Sequence, residues 1–214
     1  GLRDEISRRI QSADMDSETM REFVADIGSE AERLQRTTEK LLDLSRLDDD
    51  IQVVPEPVDV KQVAVDAMVL LRPLAKEHDV KLRCELEDGC VVMATTDDMF
   101  HIIFNLVENA VKYNRPGGKV LVDVSRAGDK AVITVADNGI GIPKEHQGRI
   151  FERFYRVDKS HSKQTGGTGL GLSIVKHIAA LHHGSISVDS EDGKGTVFTV
   201  MLPMTQQTAM APVQ

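Results

Sequence analysis

Residues 96–114 read TDDMFHIIFNLVENAVKYN, and the reading of the fold turns on where their polar side chains fall. Apolar residues recur at helical spacing, which predicts a helix from Asp97 to Asn114. At about 100° per residue, Ile103, Leu106, Val107, Ala110 and Val111 point toward a core, and Asn105, Asn109, Lys112 and Tyr113 fall on the other side. Asn is a poor choice for a face that is merely wet, because its amide competes with the backbone for hydrogen bonds. Asn carbonyl oxygens do suit Mg²⁺, a hard ion that keeps several waters and takes few protein ligands beside phosphate oxygens. Lys112 would then neutralise phosphate as a point charge and Tyr113 would offer a ring to a base. A solvated face with two incidental amides is the competing reading.

Downstream, TGGTGLGLSIVKH (165–177) runs Gly166, Gly167, Gly169 and Gly171 straight into a second helical segment. Spacing excludes two common phosphate loops. No glycine begins a G-x-x-x-x-G-K-[ST] run, and Gly169-x-Gly171 is followed by Ile174 where G-x-G-x-x-G needs glycine. Glycines entering a helix start still let backbone N–H groups approach an anion, helped by the helix dipole. The alternative is a surface loop ended by a helix. A third segment, VITVADNGIGI (132–142), closes a predicted strand at Asp137 and turns through Gly139 and Gly141. There the backbone can approach a planar ligand and a carboxylate can accept from an exocyclic amine, although Asp-Asn-Gly is also an ordinary turn. RIFERFYRVD (149–158) gathers Phe151, Phe154 and Tyr155 with Arg149, Arg153 and Arg156, as either a ligand-facing group or an apolar cluster beneath a loop.

Around these segments helical and strand patterns alternate: helix at 60–78, strand at 80–86, strands at 119–126 and 130–137, helix at 171–183, hairpin at 185–203. The expected class is α+β, with helices laid on a mixed sheet as an α/β sandwich. The N-terminal part differs. Between Ser17 and Leu47, Val24, Ile27, Ala31, Leu34, Thr38, Leu41 and Ser45 alternate at spacings of three and four, a heptad seam opposed by Glu30, Arg33, Arg36 and Lys40. With LRDEISRRIQ (2–11) this predicts a helical hairpin, which would gain core by dimerising into a four-helix bundle or by packing on its own chain. The expected divisions are a hairpin at 1–50, a linker at 51–58 marked by Pro55 and Pro57, the sandwich at 59–204 and a disordered tail at 205–214.

Composition narrows the functions. A net charge of −8 without a basic patch, with six Phe, two Tyr and no Trp, lacks the footprint of a nucleic-acid binder. Cys84 and Cys90 have no metal-ligand spacing and read as reduced thiols, which favours a cytoplasmic setting. His101, His146, His161, His177, His182 and His183 show no ligand spacing either. No apolar run approaches a membrane span, so this piece is expected to be soluble and to make no membrane contact.

Taken in order, NLVENAVKY (105–113), DNGIG (137–141), FERFYR (151–156) and GGTGLGL (166–172) resemble the N, G1, F and G2 boxes of sensor histidine kinases of two-component signalling. The resemblance runs from about Arg21 to Pro203, and four ordered motifs make it specific. It implies dimerisation helices followed by a Bergerat-type ATP-binding sandwich. It further implies ATP and Mg²⁺ as cofactors, a homodimer through the N-terminal helices, a response-regulator receiver domain as partner, and a membrane-anchored parent. On this likeness Asn109 would ligand Mg²⁺, with Asn105 assisting; Lys112 would contact phosphate and Tyr113 would lie along the nucleotide. Asp137 would bind the adenine amine in a pocket shaped by Gly139, Ile140 and Gly141. Residues 144–168 would form an ATP lid from which Arg156 reaches the γ-phosphate, and Gly167, Thr168, Gly169, Leu170, Gly171 and Leu172 would face the phosphates.

One departure matters. The family's phosphoacceptor His should lie on the first hairpin helix, but no His precedes His78. The resemblance therefore implies a piece that begins just after the acceptor, binds ATP, and does not phosphorylate itself. A Bergerat ATPase is the first alternative, disfavoured because the position four before Asn109 is Asn105, not a Glu that could act as base. A non-catalytic ATP-binding scaffold is the second.

Overall fold

A computed structural model describes residues 54–157 and 168–205, all within the compact unit that begins at Arg46. The expected hairpin, residues 51–53 of the linker, residues 158–167 of the expected lid and the tail from 206 onward lie outside the described residues.

The elements are β1 (Glu56–Asp59), α1 (Val60–Glu77), β2 (Lys81–Leu86), β3 (Val91–Ala94), α2 (Thr96–Lys112), β4 (Lys119–Ala127), β5 (Lys130–Asp137), the short α3 (Lys144–Gln147), α4 (Gly171–Leu181), β6 (Ser185–Glu191) and β7 (Gly195–Pro203). Five strands form one sheet in the order β2-β4-β5-β7-β6; β2 and β4 are parallel and the other neighbours antiparallel. Strict alternation builds its inner face. Val120, Val122 and Val124 of β4, Ala131, Ile133 and Val135 of β5, and Phe198, Val200 and Leu202 of β7 are buried. The register sets Val122 against Val135 and Val135 against Phe198, so these side chains form continuous rows across the sheet. Helix α2 lies on those rows, flanked by α1 and α4.

Thr95 starts α2: its hydroxyl accepts from the Asp98 N–H at 3.0 Å, and Asp97 and Asp98 occupy the dipole-favoured first turn. The helix ends at Lys112, two residues short of the sequence expectation. Asn114 stops it, donating from Nδ2 to the carbonyls of Ala110 and Lys119 and turning the chain toward β4.

The linker expectation needs one correction. Residues 56–58 belong to β1, which pairs antiparallel with β3, a strand that the sequence pattern did not announce. Val58 faces Val92 in this ladder and both are buried, with Ala94 beside them. Pro57 read as a helix breaker, yet proline fits the first residues of a short edge strand, where its missing N–H costs little. Among the described residues, no helix is long and apolar enough to cross a membrane.

Candidate functional site

Helix α2 carries the site, and its polar side is less open than a two-sided wheel suggests. Asn105 is only 4% exposed. Its Nδ2 donates to the His101 carbonyl at 2.8 Å, and its Oδ1 lies beneath the start of α4, where a Cβ at Gly171 would come within 2.8 Å of it. The expected exposed position fails because α4 covers this flank of α2 in addition to α1 and the sheet. Lys112 likewise departs from a free point charge: its Nζ is 2.7 Å from Glu108 Oε1, one turn back, with both side chains about four-fifths covered (21% and 17% exposed). Asn109 remains half-buried on the helix, and Tyr113 caps its C-terminus with an exposed ring.

The loop after β5 meets the end of α2. Asp137 Oδ1 accepts from the Gly139 N–H at 2.8 Å, and Ile140 N–H donates to the Tyr113 carbonyl at 3.1 Å. Burial raises the Asp137 carboxyl above its ordinary range, against hydrogen bonds from the Gly139 and Thr196 backbone that pull it down. Gly141 sits at φ +72, where an added Cβ would strike the Glu191 carbonyl, so the loop is seated directly on the β6–β7 hairpin. Ser190 and Gln147 complete that seat. The Ser190 hydroxyl accepts from the Ile142 N–H at 2.9 Å, while Gln147 Nε2 donates to the carbonyls of Ile142 and Ser190, both at 2.8 Å.

Arg115 was not picked out from the sequence. Its Nη2 donates at 2.7 Å to the carbonyls of both Gly139 and Gly193. The only local hint was its place in the turn NRPGG, since both acceptors are remote in sequence.

At the start of α4 no side chain caps the helix, and the hydroxyl oxygen of Thr168 is buried without a hydrogen-bond partner. Leu170, expected among the contact residues, is fully buried. Gly169, at φ +73, presses against the Phe154 backbone, and its carbonyl accepts from the Phe154 N–H at 2.9 Å. The two flanks of residues 158–167 are thereby tied together. The aromatic cluster divides: Phe151 packs edge-on against Phe198 at 6.4 Å, whereas Phe154 is exposed. Arg156 lines an open hollow of about 620 Å³ together with Arg149, Arg153 and Tyr155.

The contacts along α2 set a scale. Residue 105 touches the start of α4 and residue 113 touches the loop after β5, about 12 Å apart along the helix axis, with Asn109 midway. A half-buried carboxylate thus lies toward one end, an uncapped helix start at the other, and an amide between them. Among the described residues no group of three His, Cys, Asp or Glu could hold a metal.

Residues 94–206 match the family described as histidine kinase-, DNA gyrase B- and HSP90-like ATPase. The sensor-like histidine kinase SenX3 of Mycolicibacterium smegmatis is 39% identical over 196 residues, which covers 91% of this chain and 50% of the relative. The solved mycobacterial sensor histidine kinase MprB superposes with a TM-score of 0.62 at 30% identity, over 70% of this chain and 97% of that one. Full-length ShkA in complex with AMPPNP gives a TM-score of 0.74 at 27% identity, over 97% of this chain and 43% of that one. The chain spans about half the length of the curated relatives it matches. With the helix-borne asparagines, the Asp137 loop and the glycine-led helix start all inside the matched region, the chain belongs to the histidine kinase-, DNA gyrase B- and HSP90-like ATPase family, and its likeness there is to the sensor histidine kinases of two-component signalling.

Proposed function

We propose that this chain is the ATP-binding catalytic part of a sensor histidine kinase, which presents the γ-phosphoryl of ATP to a histidine that this chain does not carry, and through it to a response-regulator aspartate. The carrying observation is the orphaned Thr168 hydroxyl at the uncapped N-terminus of α4. A buried oxygen without a partner costs roughly 1–3 kcal/mol, which a phosphate oxygen at that spot would relieve. Support comes from ShkA, a relative in complex with AMPPNP.

The residues divide the work along α2. Asp137, with Oδ1 held by Gly139, presents Oδ2 to the exocyclic amine of adenine. Tyr113 lies along the nucleotide. The α4 amides and Thr168 receive the phosphates. Asn109 is the amide suited to Mg²⁺, which would complete its shell with phosphate oxygens and water and would supply charge neutralisation. Asn105 acts beneath this shell: buried and bonded to His101 within α2, it is the surface on which Gly171 at the start of α4 packs. Lys112 reaches phosphate by exchanging its Glu108 partner for the ligand, and this same pairing keeps Glu108 from serving as a base for hydrolysis. The residues act by positioning and by charge, as phosphoryl transfer requires. Arg156 is assigned to the γ-phosphate on the family likeness. On the same reading residues 1–50 are dimerisation helices, 51–55 the connection, 56–204 the catalytic domain and 205–214 a tail. The parent is a membrane-anchored homodimer with this part in the cytoplasm, and its partner is a receiver domain.

Calorimetric titration with a non-hydrolysable ATP analogue tests the reading. Binding that needs Mg²⁺ and is lost in Asn109→Ala is expected; a folded wild-type chain that does not bind the analogue refutes it.

A further inference from the structure

We propose that Arg115 is the positioning residue for adenine recognition, a role that rests on the nucleotide reading above. After α2 ends, the chain turns, and Asn114 fixes that turn by accepting the Arg115 N–H at 2.9 Å while its own amide bonds Ala110 and Lys119. From there the Arg115 guanidinium reaches two loops at once. Nη2 donates at 2.7 Å to the Gly139 carbonyl, in the loop after β5, and at 2.7 Å to the Gly193 carbonyl, in the turn between β6 and β7. The two loops are also bonded to each other, Gly193 N–H donating to the Ile140 carbonyl at 2.7 Å.

The peptide joining Gly139 to Ile140 is consequently held at both poles. Its carbonyl accepts from Arg115 and its N–H donates to the Tyr113 carbonyl at 3.1 Å. One peptide earlier, the Gly139 N–H holds Asp137 Oδ1 at 2.8 Å. Displacement of Gly139 would therefore move the donor that orients the Asp137 carboxylate. Arg115 prevents this without touching the ligand. Its side chain is exposed, so it fills no cavity, and its contribution is the direction it imposes on two carbonyls. A planar guanidinium on a long stem combines that reach with two aimed N–H groups on one nitrogen.

The effect belongs to the base. An adenosine analogue offers Asp137 an amine; a guanosine analogue offers a carbonyl at the equivalent ring position and depends on its phosphates alone. Losing two hydrogen bonds from a charged but exposed donor should weaken Mg²⁺–adenosine analogue binding on the order of tenfold. Guanosine analogue binding should change little, so the preference for adenine falls by the same factor. Titration of wild type, Arg115→Ala and Arg115→Met with both analogues, beside thermal melts, reads this out; the Met variant keeps the stem should the Ala variant not fold. Arg115→Lys, whose ammonium keeps the charge on a shorter, less rigidly aimed head, should recover part of the preference. A folded Ala or Met variant that keeps the wild-type preference, or that loses both analogues by one common factor, overturns the assignment and leaves the nucleotide site standing. A wild-type chain that binds neither analogue overturns the nucleotide reading and this role with it.

Discussion

Gly171→Ala sets two ordinary effects against each other, and the structure decides the sign. Gly171 opens α4, and alanine is favoured over glycine in a helix by up to about 1 kcal/mol, so a surface helix would gain from the change. Here the new Cβ would lie 2.8 Å from Asn105 Oδ1. Asn105 is 4% exposed and its amide is bound to the His101 carbonyl, so it cannot swing away without breaking that bond, worth about 1 kcal/mol. If it stays, overpacking costs about 1–3 kcal/mol as α4 is pushed off α2. The net expectation is a loss of about 1–2 kcal/mol, or about 3–6 °C in Tm for a domain of this size. Displacing the helix start should also weaken binding of the ATP analogue roughly tenfold. The assay is urea unfolding of Gly171→Ala, Asn105→Ala and the double variant. With the Asn105 amide gone the methyl group has room, so Gly171→Ala made in the Asn105→Ala background should be neutral or stabilising, a coupling of about 2 kcal/mol. A Gly171→Ala chain as stable as wild type, or costs that simply add, would refute the proposed contact between amide and glycine.

Two further tests concern charge. His182 Nε2 sits 2.8 Å from Asp98 Oδ2 with side chains 10% and 13% exposed, fastening the end of α4 to the first turn of α2. Burial pushes the Asp98 carboxyl up, but hydrogen bonds from His182 and Thr95 and the nearby histidine charges bring it below its ordinary 3.8. A depressed carboxyl contributes stability above its unfolded pKa and loses it as pH falls through the folded value. Asp98→Asn should therefore cost about 1–2 kcal/mol at neutral pH, a gap that closes in urea titrations below about pH 4; a pH-independent gap would count against the pair. Asp137 behaves oppositely, since burial raises it. Adenine needs the ionised form, so analogue affinity should start to fall on acidification above the ordinary carboxylate pKa. Asp137→Asn should bind weakly at every pH, and an affinity that is flat down to the ordinary carboxylate range in wild type would refute its role.

The three long helices and the five-stranded sheet were legible because each buries one face, and a single buried face leaves a period. Val120 to Val124 and Ala131 to Val135 alternate strictly, and α2 repeats its apolar residues from Met99 to Val111 without interruption. What went unread lacked a period. Strands β1 and β3 have four residues each, too few to show one, and their pairing joins Val58 to Val92 across the whole of α1. Asn105 was set on the wrong surface because a wheel divides a helix into two sides, whereas α2 has neighbours on three. Arg115 was invisible for a related reason: its meaning lies in carbonyls 24 and 78 residues away, and carbonyls leave no mark on a sequence.

The glycines show why a reading can reach the right site for an incomplete reason. Their spacing suggested open backbone for an anion to approach. In the fold, Gly169 meets the Phe154 backbone, Gly171 meets Asn105 and Gly141 meets the Glu191 carbonyl, so each of the three is pressed against protein. These are one requirement seen from two sides. A helix start held this close by its missing side chains needs no polar cap to fix it, and none is present on α4. Its first N–H groups are left to whatever anion arrives, beside a Thr168 hydroxyl that has no other partner. A serine or aspartate cap would give α4 a local start and occupy the donors that a phosphate needs. Packing Gly171 on Asn105 at one end and bonding His182 to Asp98 at the other holds the helix firmly while leaving its start chemically free.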